Sequence, residues 1–171
     1  MNLTKKKFLR FTVIFMVIIA IIVGMTSFST IEVQAATGYK IKYNKVTITM
    51  GSKAKKFINA AGTPKEKKTS KSCAYDGKDI TRYYNDFILY TYTNSNKKSA
   101  KEYVQGITFL TSNIKVKKYG IKIGSTEKKV KKKLGKKKPK YGVYTYYKGK
   151  TKLQIEVNNG KVTNIRCIKR S

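Results

Sequence analysis

One short stretch occurs twice in this chain, and the pair limits the folds open to it more than any other feature. Residues 50–62 read MGSKAKKFINAAG and residues 123–135 read IGSTEKKVKKKLG, at a constant offset of 73 residues without a gap. Each copy has an apolar residue, then Gly-Ser, then a short helical pattern closed by glycine. Ser52 and Ser125 read as helix starts, because a serine hydroxyl accepts a first-turn amide that has no partner in the helix. In the first helix Ala54, Phe57, Ile58 and Ala61 fall at i, i+3, i+4 and i+7 and form one apolar stripe. Gly62 suits the left-handed residue that ends a helix, and Pro64 forbids continuation. The second helix keeps only Val130 and Leu134 on its stripe, with Glu127 placed well for the helix dipole.

Between and after these helices the chain alternates. Residues 38–43 and 46–50 read as short strands, as do 82–84, 87–93 and 103–111. Residues 65–79 are polar and rich in turn formers, with a short strand possible at 72–75. The second copy is followed by strands at 141–148, 152–158 and 161–169. Asn158, Asn159 and Gly160 form a hairpin turn of the positive-φ kind. The predicted architecture is therefore α+β: two tandem units, each one helix plus a three- to four-stranded antiparallel meander, with the sheets joined and the helices on one face. The predicted division is a signal peptide over 1–35, a lead-in over 36–45, a first unit over 46–113 and a second over 114–171.

The first 35 residues read as a secretory signal. Lys5, Lys6, Lys7 and Arg10 precede an apolar run over 11–25, and Val33-Gln34-Ala35 suits cleavage before Ala36. The rival reading is an uncleaved anchor, but the run is shorter than the roughly 20 residues a spanning helix needs. The expected location is secreted, with retention at the cell wall by charge.

Ser72-Cys73-Ala74-Tyr75-Asp76-Gly77-Lys78-Asp79, Tyr90-Thr91-Tyr92, Gly106-Ile107 and Gly120-Ile121-Lys122-Ile123-Gly124-Ser125, together with the repeated Gly-Ser-helix-Gly stretch, resemble the beta-lactamase inhibitory protein-like fold and the related outer-membrane assembly lipoproteins. Within that group the chain is most similar to uncharacterised secreted proteins and lipoproteins of Gram-positive bacteria. The resemblance covers about residues 46–169 and implies the fold. It carries over no inhibitory site: the chain lacks a lipid-attachment cysteine, is strongly basic, and shows no counterpart of the inhibitor's two internal disulfides or its target-contacting residues.

Charge is the strongest chemical signal. The chain has 39 Lys and Arg against 8 Asp and Glu, for a formal net charge of +31, and it contains no histidine. Without histidine there is no ready base to activate a serine or cysteine, and acids are too scarce and too scattered for a calcium loop. No catalytic residue, metal site or cofactor is expected, and the chain is not expected to be an enzyme. The stretch 115–140 is dense in lysine, with Glu127 as its lone acid. Lys128, Lys129, Lys131, Lys132 and Lys133 are the candidate contacts for a polyanion such as teichoic acid, an anionic lipid or a glycan. Lysine's compact charge suits that contact better than bidentate recognition, and specific nucleic-acid binding is not expected. The alternative for such a run is a solvated face.

Tyrosine is the second signal, at 13 residues. Tyr83, Tyr84, Tyr90, Tyr92, Tyr144 and Tyr146 lie on predicted strands and are the candidate aromatic face for a protein or sugar chain, the alternative being cross-strand pairs that only stabilise the sheet. Cys73 and Cys167 are either a disulfide, as an exported chain favours, or two small buried hydrophobes. The expected function is a secreted non-catalytic binding module using a Tyr/Lys-rich surface. The alternatives are an inhibitor of an extracellular enzyme, by fold analogy, and a cationic wall- or membrane-associated protein.

Overall fold

A computed structural model describes residues 38–170. The expected signal segment lies outside these residues. The elements are β1 (Lys40–Tyr43), β2 (Val46–Thr49), α1 (Lys55–Ala61), β3 (Glu66–Lys71), β4 (Lys78–Tyr83), β5 (Phe87–Thr93), β6 (Glu102–Phe109), β7 (Ile114–Val116), α2 (Glu127–Leu134), β8 (Val143–Lys148), β9 (Thr151–Asn158) and β10 (Lys161–Lys169). No helix among the described residues is long and apolar enough to cross a membrane.

The expected pair of helix-plus-meander units is not what forms. Among the described residues strand takes 50% and helix 11%, in only two helices. The strands make one seven-stranded sheet, in the order β3-β4-β5-β6-β10-β9-β8, and a separate three-stranded sheet, β2-β1-β7. The second sheet draws its strands from all three of the expected segments, 36–45, 46–113 and 114–171. Residue 41 pairs with 116 and residue 43 with 114, so the supposed lead-in is the central strand and takes β7 from across the expected boundary. Period-2 patterning shows that such segments are extended but carries no information about a partner some 70 residues away. The helices, of seven and eight residues, are too short to cover seven strands. Ile41, Ile48, Ile114 and Val116 of the small sheet join Phe57, Phe87, Leu89, Ile107, Val130, Leu153 and Ile165 in one core.

The two Gly-Ser stretches do make the same contact. Gly51 and Gly124 have φ of 84° and 82°, a region that side chains with a Cβ avoid. The Gly51 amide donates to the Val104 carbonyl at 2.7 Å and the Val104 amide returns a bond to Ser52 at 2.9 Å. Gly124 and Ser125 form the equivalent pair with Val162, at 2.8 Å each way. Neither serine caps its helix as expected. Ser52 Oγ donates to the Thr49 carbonyl and Ser125 Oγ accepts from the Lys122 amide. The α2 cap is Thr126, which accepts from the Lys129 amide, whereas α1 begins after Ala54 with no side-chain cap.

Candidate binding face

Side chains alternate across a strand, so the seven-stranded sheet has two faces. One is the core face, under α1, α2 and the small sheet. On β5 Phe87 and Leu89 are fully buried while Ile88 and Tyr90 between and beyond them are half-exposed. On β10 Ile165 and Cys167 are buried and Arg166 is exposed. Following the register from strand to strand, the second face contains the row Thr81, Tyr90, Gly106, Ile168, Lys152 and Tyr147. Beside it runs the row Tyr83, Ile88, Thr108, Arg166, Gln154 and Thr145.

On this open face aromatic rings are paired with cations. The Lys68 ammonium sits 5.4 Å from the Tyr83 ring centre, the Arg166 guanidinium 5.6 Å from Tyr90, and the Arg170 guanidinium 4.8 Å from Tyr147. Each is within the range of a cation–π attraction. At one end the loop over residues 72–77 folds onto the sheet and lays Tyr75 flat on Tyr92, at 4.3 Å and 12° between planes. Gly77 allows this approach, because a Cβ there would lie 2.0 Å from the Thr93 carbonyl oxygen. Lys169 Nζ donates to the Tyr75 hydroxyl at 3.0 Å and to the Tyr92 hydroxyl at 3.3 Å. The hydrogen bond from Lys169 draws the Tyr75 phenol below its ordinary pKa, while burial pushes Tyr92 above it. Lys169 itself is held above the usual lysine value, chiefly by its bond to Tyr75. Between this loop and Arg166 lies a hollow of about 310 Å³, lined by Tyr75, Asp79, Tyr90, Gly106, Arg166 and Lys169 among others.

The sequence-selected tyrosines divide between the faces. Tyr83 and Tyr90 are on the open face. Tyr92 points the same way but is buried beneath Tyr75. Tyr84, Tyr144 and Tyr146 belong to the core and are corrected from surface to interior, at 6%, 2% and 2% exposure. Tyr144 donates to the Glu127 carboxylate, which with burial raises its pKa. Tyr146 donates to the Gly135 carbonyl at 3.0 Å. Tyr84 is packed against Phe87 and its hydroxyl has no partner among the described residues.

Tyr75, Arg166, Lys169 and Arg170 were not selected from sequence, and Tyr147 was read only as one more tyrosine on a predicted strand. Alternation along Tyr144-Thr145-Tyr146-Tyr147 necessarily sends Tyr147 opposite to Tyr146, but it does not say which side is covered. Tyr75 lies in a loop, and nothing local assigns it to a sheet.

The selected lysines lie elsewhere. Val130 seats α2 on the core side of the sheet, so its lysines and the open-face tyrosines do not share the single surface expected. Lys128, Lys132 and Lys133 are exposed. Lys129 Nζ donates to the Gly120 carbonyl at 2.8 Å, and Lys131 pairs with Glu127 at 2.7 Å. That pairing, first through Lys131 and then through Tyr144, holds the Glu127 carboxyl below its usual pKa.

Of the two readings for Cys73 and Cys167, the disulfide does not form, and only Cys167 is a buried hydrophobe. Cys73 is exposed in the 72–77 loop, whereas Cys167 is buried in the sheet opposite Ile107 and Leu153. Burial pushes the Cys167 thiol up to about 12, so it sits in the core as a small hydrophobe. Among the described residues no three potential metal-ligating side chains gather around one point. No protein-family model, curated protein or solved structure matches the chain.

Proposed function

We propose that this protein is a secreted, non-catalytic binding module that holds an anionic polymer outside the cell, and that the open face of the seven-stranded sheet is the contact surface. One observation carries the reading: beyond the 72–77 loop at its end, no described residue covers this face, and its exposed or half-exposed rings at Tyr83, Tyr90 and Tyr147 each have a lysine or arginine beside them. In a chain of net charge +31, a polyanion is the complementary occupant. Rings with cations beside them supply both apolar contact and charge, and they stay in place without the polymer. The exposed lysines of α2 add attraction from the other side and speed the encounter.

The test is retention of the purified protein on immobilised wall teichoic acid across a salt series. Each polymer charge neutralised by the protein releases a counterion, so affinity should fall by about tenfold or more between roughly 50 and 200 mM salt. The combined change Lys68→Gln, Arg166→Gln and Arg170→Gln should weaken retention more than neutralising Lys128, Lys132 and Lys133. Retention indifferent to salt, or a tight one-to-one complex with a neutral protein, overturns the proposal.

A further inference from the structure

The hollow at the loop end of the open face differs from the rest of that face. It is concave, of about 310 Å³, the size of the smaller sites that take a small molecule or one unit of a polymer. Its floor is built by the backbone. Pairing shifts register between Tyr90 and Thr91, opposite Gly106 and Val104, and such a bulge bends a strand and re-aims its side chains. Gly106 leaves the space beside the Tyr90 ring empty: a Cβ there would come within 3.6 Å of that ring and 3.1 Å of Ile168. One side of the floor is therefore aromatic and apolar.

The rim is mixed rather than purely cationic. Arg166 stands over Tyr90, Lys169 is tied to the two tyrosine hydroxyls, and Asp79, Thr81 and Gln105 are among the other lining residues. One carboxylate among two cations lowers the positive charge of the hollow without reversing it. That carboxylate suits hydroxyl groups, which donate to it. A flat apolar ring face for Tyr90, hydroxyls for Asp79 and Gln105, and one negative group for Arg166 together describe a sugar ring bearing a single acid.

We infer that this hollow is a subsite for one acidic monosaccharide unit within the polymer held by the open face, a reading that rests on the binding role proposed above. Arg166 takes the carboxylate or phosphate, Tyr90 stacks on the ring, and Asp79 accepts from its hydroxyls. The Tyr75 loop forms the wall that ends the groove.

The test follows backbone amide shifts of the purified protein as an oligosaccharide of alternating glucuronate and N-acetylhexosamine is added. A sugar-phosphate oligomer forms the phosphate arm, a neutral oligosaccharide the control, and polyglycerol phosphate and single-stranded DNA the comparisons. Shifts should centre on Tyr90, Gly106 and Arg166, and Arg166→Gln and Tyr90→Ala should each weaken acidic-sugar binding by about tenfold. Ala74→Trp at the groove mouth should block the sugar while leaving salt-sensitive retention on teichoic acid within about twofold. If teichoic acid is retained but the groove amides stay still, or the neutral sugar, polyglycerol phosphate or DNA binds there as well as either acidic sugar, the subsite is overturned alone. If no polyanion is retained even at low salt, the parent reading falls with it.

Discussion

The two faces of the seven-stranded sheet are made by the same strands, residue by residue, yet they do opposite work. The core face carries Phe87, Leu89, Ile107, Phe109, Leu153, Ile155 and Ile165, all at or below 2% exposure. The open face carries Tyr83, Tyr90, Tyr147, Arg166 and Gln154, on strands of the same hydrogen-bonded ladder. The core face holds the fold together by removing apolar area from water. The open face keeps large rings half in water, each with a cation alongside, and adds little to stability. Among the described residues Tyr83 and Tyr90 stay half-exposed and Tyr147 exposed on this face, which is the ground for the proposed contact.

The comparison is most severely tested from the core side. Phe57 is fully buried and packs on Phe87 at 5.3 Å between ring centres and on Tyr43 at 6.2 Å. Phe57→Ala should cost about 3–5 kcal/mol in urea unfolding, and a loss below 1 kcal/mol would mean α1 is not seated on the sheet. At the boundary of the core, the Arg82 guanidinium pairs with the Glu102 carboxylate, to which Thr91 also donates. Arg82 is 7% exposed. Glu102→Ala leaves that guanidinium buried without its partner and should cost about 3 kcal/mol. Replacing both by well-packed apolar residues should restore much of the loss, and failure to recover would show that the pair itself is needed.

A smaller effect is expected where the small sheet meets the large one. Asp86 accepts from Thr111 Oγ at 2.6 Å, Tyr43 OH at 2.9 Å and Asn113 Nδ2 at 2.9 Å. Thr111 leads in holding its carboxyl below the ordinary pKa, opposed by burial. A carboxyl depressed by folding gives its full stabilisation above the unfolded value of about 3.9 and loses it as the pH falls through the lower folded value. Urea midpoints measured from pH 6 down to pH 2 should show this acid limb, and Asp86→Asn should flatten it while costing about 1 kcal/mol at neutral pH. An unchanged limb in the variant would place the acid sensitivity elsewhere. The smallest stability effect belongs to the open face: Arg166→Gln or Tyr147→Ser should stay within about 0.5 kcal/mol while weakening polymer retention. A large loss of stability with binding intact would reverse the assignment of the faces.

These faces were only partly readable in advance. Strands β5, β9 and β10 lie close to where alternation puts them, because Phe87-Leu89, Leu153-Ile155 and Ile165-Cys167 have the period of a half-buried sheet. The helices also fall inside their predicted spans, set by Gly62 and Gly135. Strand β3 was invisible. Glu66–Lys71 has no apolar residue and is exposed throughout, and it is a strand only because β4 offers its edge. The small sheet was misread for a related reason, since its partners are distant in sequence. Within the site, Tyr90 and Tyr83 were legible as strand tyrosines, but the choice of face for Tyr144, Tyr146 and Tyr147 depended on which side α2 covers. That is a tertiary fact with no local mark in the sequence.

The two Gly-Ser turns clip to Val104 on β6 and Val162 on β10, and β6 and β10 are neighbours at the middle of the large sheet. The outer strands β3 and β8 have no share in these clips. Local opening should therefore run inward from the margins, with β3 and β8 fraying while the middle stays shut. In amide hydrogen exchange, Gly51, Val104, Gly124 and Val162 should be among the last protons released. The proposed contact surface spans both regimes: Tyr90 and Arg166 stand on the middle strands, and Tyr147 stands on a marginal one.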